Sequence, residues 1–238
     1  MSEGPTRRVA ILAPMRPELK AVVRAGSLTR TGNDAVLSHT GRVGSWTVLA
    51  GVIGIGPAVA RQATERLLAL GAFDHVMVVG IAGGLDPALP VGALLVPNRV
   101  RLHPDGPSYT PRPLPPRTAE GGLMTTDGLF SDEAVWRPIL EAGFGAVDME
   151  AAGVAEACEQ AGVAWSVYRG ISDRPDENLL DQAVFALSKP DGSADVVALG
   201  KYLARDPRRA KVLAHLNRCM ETAANAAASA AFDDLRRT

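Results

Sequence analysis

The chain has 238 residues, 47% hydrophobic, 21% charged and 5% aromatic, with a formal net charge of −1. That balance excludes wholesale disorder, calls for a large aliphatic core, and lacks the basic excess of a nucleic-acid binder. No apolar run reaches membrane-spanning length, "MSEGPTRR" is polar with no apolar stretch behind it, and Cys158 and Cys219 have no metal-ligand spacing, so a cytoplasmic protein with two buried free thiols is expected.

In chain order, "RVAILA" (8–13) is a continuous apolar run that suits a strand buried on both faces. "PMRPELKAVVRAG" follows as a helix, with Pro17 in its first turn, Glu18 beside it and Gly26 as the stop. "AVLSHTGRVGSWTVLAGV" reads as a hairpin. The turn Gly54-Ile55-Gly56 opens a helix that starts at Pro57 and ends at Gly71. "FDHVMVVGIAGGL" is a buried strand running into a second glycine turn at Gly83 and Gly84, and "VGALLVPNRV" is a further strand. Residues 103–120 form a Pro-rich loop of a length often used as a lid or binding segment. "GLMTTDGLF" is a strand ending in a loop, and "DEAVWRPILEAG" a short helix. "AVDMEAAGVAEA" carries a strand end into an Ala-rich helix, "VAWSVYRGISD" is a strand ending at Asp173, and the tail is helical. Strands alternating with helices predict an α/β three-layer sandwich around a twisted, mostly parallel mixed sheet. One domain spanning 1–238 is expected, with 178–238 as its helical extension.

Ligands in such folds gather at the carboxyl ends of strands. Met15–Glu18, Gly54–Gly56, Ala82–Gly84, Asp127–Phe130, Asp148–Glu150 and Arg169–Asp173 all follow apolar strand runs, so acids, an arginine and glycine turns are expected on one rim. Each has a plain alternative. Glu18, Asp148 and Glu150 suit the first turn of a helix, where acids meet the positive end of the macrodipole, and Asp173 suits the turn "SDRPDE". The chemical reading makes Asp173 a partly desolvated proton donor. Glu150 would accept from a ligand diol, and Met149 would lay its thioether on the apolar face of the same ligand. Arg169, set within an apolar run, needs a charged partner or a ligand.

Taken in order, "APMRPEL", "GIGPAVA", "VGIAGGLDPALPVGALLVP", "AVDMEAAGVA" and "VYRGISD" resemble the nucleoside phosphorylase superfamily over residues 8–175. The nearest branch holds the methylthioadenosine/S-adenosylhomocysteine nucleosidases and the hopanoid-associated phosphorylases. The tail, with "SKPDG" and "ARDPRRAKVLAHL", is similar to the hopanoid-associated group. The resemblance implies cleavage of the N-glycosidic bond of a purine nucleoside without metal or organic cofactor. It implies that Asp173 protonates the leaving base, that Glu18 orients or deprotonates an attacking water, and that Arg169 lies near that water or a phosphate. It gives Glu150 the ribose diol, Met149 the sugar face, and Leu129 and Phe130 the base. Ile55, Ala82, Gly83 and Ser172 are further substrate contacts, and a homodimer or larger homo-oligomer is expected.

The family often carries a hydroxyl residue where this chain has Ile81. A phosphate would lose a donor there, which favours water as the nucleophile, with phosphorolysis, and phosphate as co-substrate, as the alternative. A non-catalytic nucleoside-binding protein on the same fold is the rival of another class. In the last helix Arg208, Lys211, His215 and Arg218 share one face, with Val212, Leu216 and Cys219 or Met220 on another. That basic face suggests weak contact with a membrane surface, in keeping with a lipid on the 5′ end of the substrate.

Overall fold

The computed structural model describes residues 7–31, 37–128, 132–174 and 209–238. Among the described residues eleven strands form one sheet, in the order β2 (Thr29–Arg30), β3 (His39–Val43), β4 (Trp46–Val52), β1 (Arg7–Ala13), β5 (His75–Gly84), β10 (Phe144–Asp148), β9 (Gly122–Thr125), β7 (Arg99–Leu102) and β8 (Ser108–Tyr109), with β11 (Trp165–Asp173) pairing β5 and β6 (Leu94–Leu95). Its centre is β1 (Arg7–Ala13), flanked in parallel by β4 (Trp46–Val52) and β5 (His75–Gly84), with β11 (Trp165–Asp173) parallel to β5 on its other side. Parallel strands covered on both faces require apolar residues at every position. β1 splits its side chains accordingly: Ala10 and Leu12 enter one core, Val9, Ile11 and Ala13 the other.

Helices α2 (Pro57–Ala69) and α4 (Ala151–Ala161) cover the first face, and α1 (Arg16–Gly26) and α5 (Arg209–Arg237) the second. The Ala-rich sequences of α4 and α5 allow close approach. A Cβ on Gly153 would stand 2.0 Å from the Pro57 carbonyl oxygen, and one on Gly170 would stand 2.0 Å from the Ala223 carbonyl oxygen. Helix and strand therefore touch backbone to backbone at both places.

Several expectations change. Gly26 does not stop α1. Ser27 takes the left-handed cap (φ 48°), while Gly26 makes room for Phe232, whose ring would lie 2.3 Å from a Cβ at 26. The run 91–100 is two strands: β6 (Leu94–Leu95) pairs β11, and β7 (Arg99–Leu102) pairs β8 (Ser108–Tyr109) and β9 (Gly122–Thr125). Pro97 falls between them and has no N–H to give either ladder. The hairpin gains a short β2 (Thr29–Arg30) against β3 (His39–Val43).

The 103–120 segment is fastened rather than free to act as a lid. Leu114 is buried, Arg112 N–H donates to the Trp165 carbonyl at 2.7 Å, and Arg117 forks onto the buried Asp234 at 2.8 and 3.0 Å. Tyr168 donates to the same carboxylate at 2.9 Å. Cys158 and Cys219 are buried thiols outside any disulfide, and Cys219 Sγ lies 3.7 Å from His215 Nε2. In α5, Lys211, His215 and Arg218 are exposed and Leu216 and Cys219 buried, but Val212 is 39% exposed, so it does not join the packed face. Arg208 and the first part of the predicted helical tail lie outside the described residues. Among the described residues no helix is long and apolar enough to cross a membrane.

Candidate active site

The acids do not all collect on one carboxyl rim. β10 (Phe144–Asp148), which follows the short helix α3 (Glu133–Glu141), runs antiparallel to β5, with Val147 opposite Gly83. It carries Asp148 and Glu150 back alongside the interior of β5. Arg169, four residues before the end of β11, lies in register with Gly80 of β5. The site is therefore built against the strand at Gly80–Gly83 rather than beyond it.

Arg169 is the hub. Its side chain is wholly buried, with Nε and Nη2 on Asp148 Oδ2 at 3.1 and 2.5 Å, and Nη2 also on Glu150 Oε2 at 3.0 Å. Asp148 is itself held by the Thr125 hydroxyl at 2.7 Å and the Ala151 N–H at 3.0 Å, and Thr125 Oγ1 accepts from the Ala152 N–H at 2.9 Å. Among the described residues Nη1 is buried with no hydrogen-bond partner, 3.8 Å from Glu18 Oε1. A buried guanidinium N–H without an acceptor is costly, and here it marks where a polar ligand atom fits.

Glu18 sits in the first turn of α1, but its carboxylate does more than meet the helix dipole. It accepts from the Met15 N–H and from the Ile81 N–H, each at 2.8 Å. To reach Ile81 it lies across β5, where a Cβ on residue 80 would stand 2.1 Å from Glu18 Oε1 and 2.5 Å from Arg169 Nη1. Only glycine permits this. Burial pushes the Glu18 carboxyl up to about 7, against the lowering pull of Arg169 and the two N–H donors. Burial raises Glu150 as well, with Asp148 and Glu18 adding to the rise and Arg169 opposing it. Burial disfavours the charge on Arg169, and the three carboxyls more than offset that, so its pKa is raised.

Glu150 Oε1 faces the Gly56 N–H at 3.4 Å, which joins the cluster to the turn before α2. Ile55 and Met149 are half-buried beside these two residues. On the other side, β11 bulges between Ile171 and Asp173, the device by which a strand re-aims a side chain. Ser172 Oγ lies 2.5 Å from Asp173 Oδ1 and 3.3 Å from the Ala82 carbonyl. A Cβ on Gly83 would be 3.4 Å from Asp173 Oδ2, so the half-buried carboxylate rests against bare backbone. Leu129 and Phe130 lie outside the described residues.

Three residues carry the site without having drawn a role from the sequence: Asp148, Thr125 and Gly80. Asp148 stands in "AVDMEAA", where the local pattern supports no more than a helix-start acid. Nothing in the sequence singles out Thr125 or Gly80, because their partners come from other strands. Among the described residues no group of His, Cys, Asp and Glu is arranged to hold a metal ion.

Residues 8–194 match the family model described as "Phosphorylase superfamily". The 5′-methylthioadenosine/S-adenosylhomocysteine nucleosidase of Shewanella oneidensis is 26% identical over 197 residues, 70% of this chain and 84% of the relative. Among solved structures, a Helicobacter pylori nucleosidase of the same name aligns with a TM-score of 0.72 at 19% identity, covering 99% of this chain and all of the other. The futalosine hydrolase of Helicobacter pylori aligns at 0.69 and 19% identity over 97% of each chain. The structural likenesses bear on the fold, and they agree with the mixed sheet between two helical layers. With the match covering most of the chain, this protein belongs to the phosphorylase superfamily.

Proposed function

We propose that the chain hydrolyses the N-glycosidic bond of a purine nucleoside, adenine being the base, with a substituent other than plain hydroxyl on the 5′ carbon. The observation that carries this reading is Glu18. It is a buried carboxyl held by two backbone N–H groups, with a pKa of about 7, facing a guanidinium N–H that lacks an acceptor. A general base works best with its pKa near the working pH, and a water between Glu18 and Arg169 Nη1 would satisfy both groups.

The chemistry has two demands. The purine leaves poorly until it is protonated, and the sugar gains oxocarbenium character as it goes. In this reading the Asp173 proton passes to N7 of the base. The electron pair of the C1′–N9 bond leaves with the purine. The water oxygen bonds to C1′, and Glu18 takes its proton. The products are the free base and the ribosyl sugar. Glu150 holds the 2′- and 3′-hydroxyls, Met149 lies on the sugar face, and the acids around the ring stabilise developing positive charge. Ile55, Ala82, Gly83 and Ser172 complete the pocket wall.

Water rather than phosphate is the nucleophile. Ile81 supplies only its N–H, which Glu18 already accepts, and a third carboxyl beside the site disfavours a phosphate dianion. The relatives' names, nucleosidase and hydrolase, support the same choice. A screen of 5′-substituted purine nucleosides with and without phosphate, reading base and sugar by mass, tests it. Free sugar at equal rates in both is expected. A strict need for phosphate, with a sugar 1-phosphate as product, would overturn it, and binding without turnover would favour the non-catalytic reading. The proposal extends to a homo-oligomer, checked by light scattering. It also includes a membrane contact through Lys211, His215 and Arg218, checked by co-sedimentation with anionic vesicles.

A further inference from the structure

Glu18 reaches the acid cluster from the far side of the sheet. Along β5, Val78 and Ala82 pack with α2 and α4, whereas Met77, Val79 and Ile81 pack with α1 and α5. Arg169 belongs to the first side, because Val167 and Ile171, which share its period on β11, lie in the α2–α4 core. Glu150 belongs there too, facing the start of α2 at Gly56. Glu18 comes from α1 on the second side. Its carboxylate meets Arg169 only by crossing β5 at Gly80, where the missing side chain leaves room.

A pocket of about 350 Å³ opens between α1 and α5 on that second side. Both Glu18 and Ile81 line it, the pair joined by the Ile81 N–H on Glu18 Oε1 at 2.8 Å. The buried lining residues Glu18, Ala21 and Ala224 mark its inner end. Its mouth is polar. Lys20, Asn217 and Glu221 are exposed there, and Arg24 spans the two helices to Glu221 at 3.6 Å and Asn225 at 3.5 Å. Half-buried Met220 is the largest apolar side chain that α5 gives to the wall. The space suits several waters, since each takes about 30 Å³ in the liquid. Glu18 thus has one side towards Arg169 and Glu150 and another towards a wet pocket.

Hydrolysis needs a water at Glu18 while the nucleoside fills the space beside Glu150 and Asp173. From this geometry we propose that the α1–α5 pocket is the entrance for the nucleophile, which reaches Glu18 and Arg169 Nη1 from the face of the sheet opposite the nucleoside. The proposal rests on the hydrolytic reading and adds a route to it. The proton that Glu18 takes leaves the same way, because this is where the residue meets solvent. Met220 sets the width of the route. It therefore governs which nucleophile arrives, and leaves the binding of the nucleoside alone.

The test offers a choice of nucleophile. In mixtures of water with methanol or ethanol, the alcohol oxygen bonds to C1′, its proton passes to Glu18, and the C1′–N9 electron pair leaves with the base. The product is an alkyl riboside in place of the free sugar. The ratio of the two is read by mass for the natural chain, M220A and M220W acting on 5′-methylthioadenosine. It depends neither on the amount of folded protein nor on nucleoside affinity, so a variant that fails to fold leaves the other two to be compared. M220A should raise the share of ethyl riboside about tenfold, the scale on which a pocket discriminates one methylene. M220W should lower the share of methyl riboside several-fold and kcat with it, with KM unchanged. Equal ratios in all three proteins, or no riboside from any, overturn the entrance and leave the hydrolytic reading intact. If no base is released in water either, the hydrolytic reading fails. The pocket is then read by hydrogen exchange of the Ile81 amide, which Glu18 accepts. M220W should slow that exchange and M220A speed it, and equal rates overturn the proposal.

Discussion

At the scale of single residues, the site is a set of groups whose roles depend on what holds them. Asp173→Asn removes the proton destined for the base but keeps the shape, so nucleoside binding should persist while kcat falls about 10²–10⁴-fold. Near-full turnover would remove Asp173 from that role. Glu18 acts as a base only when ionised. With its carboxyl pushed up to about 7, kcat/KM should climb as pH rises through about 7 and level off above. E18Q should lose both the activity and that limb of the profile, measured from pH 5 to 9. Asp148 works through Arg169. In D148N the guanidinium loses the partner that holds both its Nε and Nη2, so Arg169 Nη1 is no longer aimed at Glu18 and kcat should fall more than KM changes. Thr125→Ser, which keeps the hydroxyl on Asp148, should retain activity that Thr125→Val loses. Equal losses in the two would make Thr125 a packing residue only.

At the scale of elements, close backbone contacts decide how helices sit on the sheet. G153A would press a methyl against the Pro57 carbonyl, and G170A would press one against the Ala223 carbonyl. The neighbouring atom is backbone in both, so helix and strand must part. Overpacking of this kind costs about 1–3 kcal/mol, and a clear fall in Tm by thermal unfolding is expected for each. G170A has a second consequence, because Arg169 is the adjacent residue and α5 packs on β11. Its activity should fall further than that of G153A at equal loss of stability. The bulge at Ser172 belongs to this scale too, since it turns Asp173 off the face that the period of two gives to Arg169 and Ile171.

For the whole molecule, the buried acids leave a signature in stability against pH. Glu18 holds its proton to about 7 when folded, against 4.5 for the ordinary group. Between those values the folded state binds more protons than the unfolded chain, so this contribution is full below pH 4.5 and is lost as pH rises through about 7. Glu150, also raised, acts in the same sense. Urea unfolding of the natural chain and of E18Q across pH 4–8 should show a difference that changes along this window, the natural chain losing stability relative to E18Q as pH increases. A difference independent of pH would mean that Glu18 titrates normally. The active site thus carries a standing cost at neutral pH, as expected where three carboxyls share one guanidinium.

The sequence alone determined the layers, because burial on both faces of a parallel sheet imposes apolar runs that differ visibly from the periodic helices between them. It also determined most of the candidate site. Glu18, Glu150 and Asp173 follow apolar strand runs, Arg169 stands within one, and their motifs resemble one family in order. Tertiary structure decided the rest. The antiparallel return of β10 turned Asp148 from a helix-start acid into the anchor of Arg169. Gly80 could not be told from any strand glycine until Glu18 and Arg169 were seen to cross it. Thr125 had no signal at all. Pattern along the chain records what each residue must avoid in water, whereas charge, distance and the room for a missing Cβ are properties of neighbours far away in sequence.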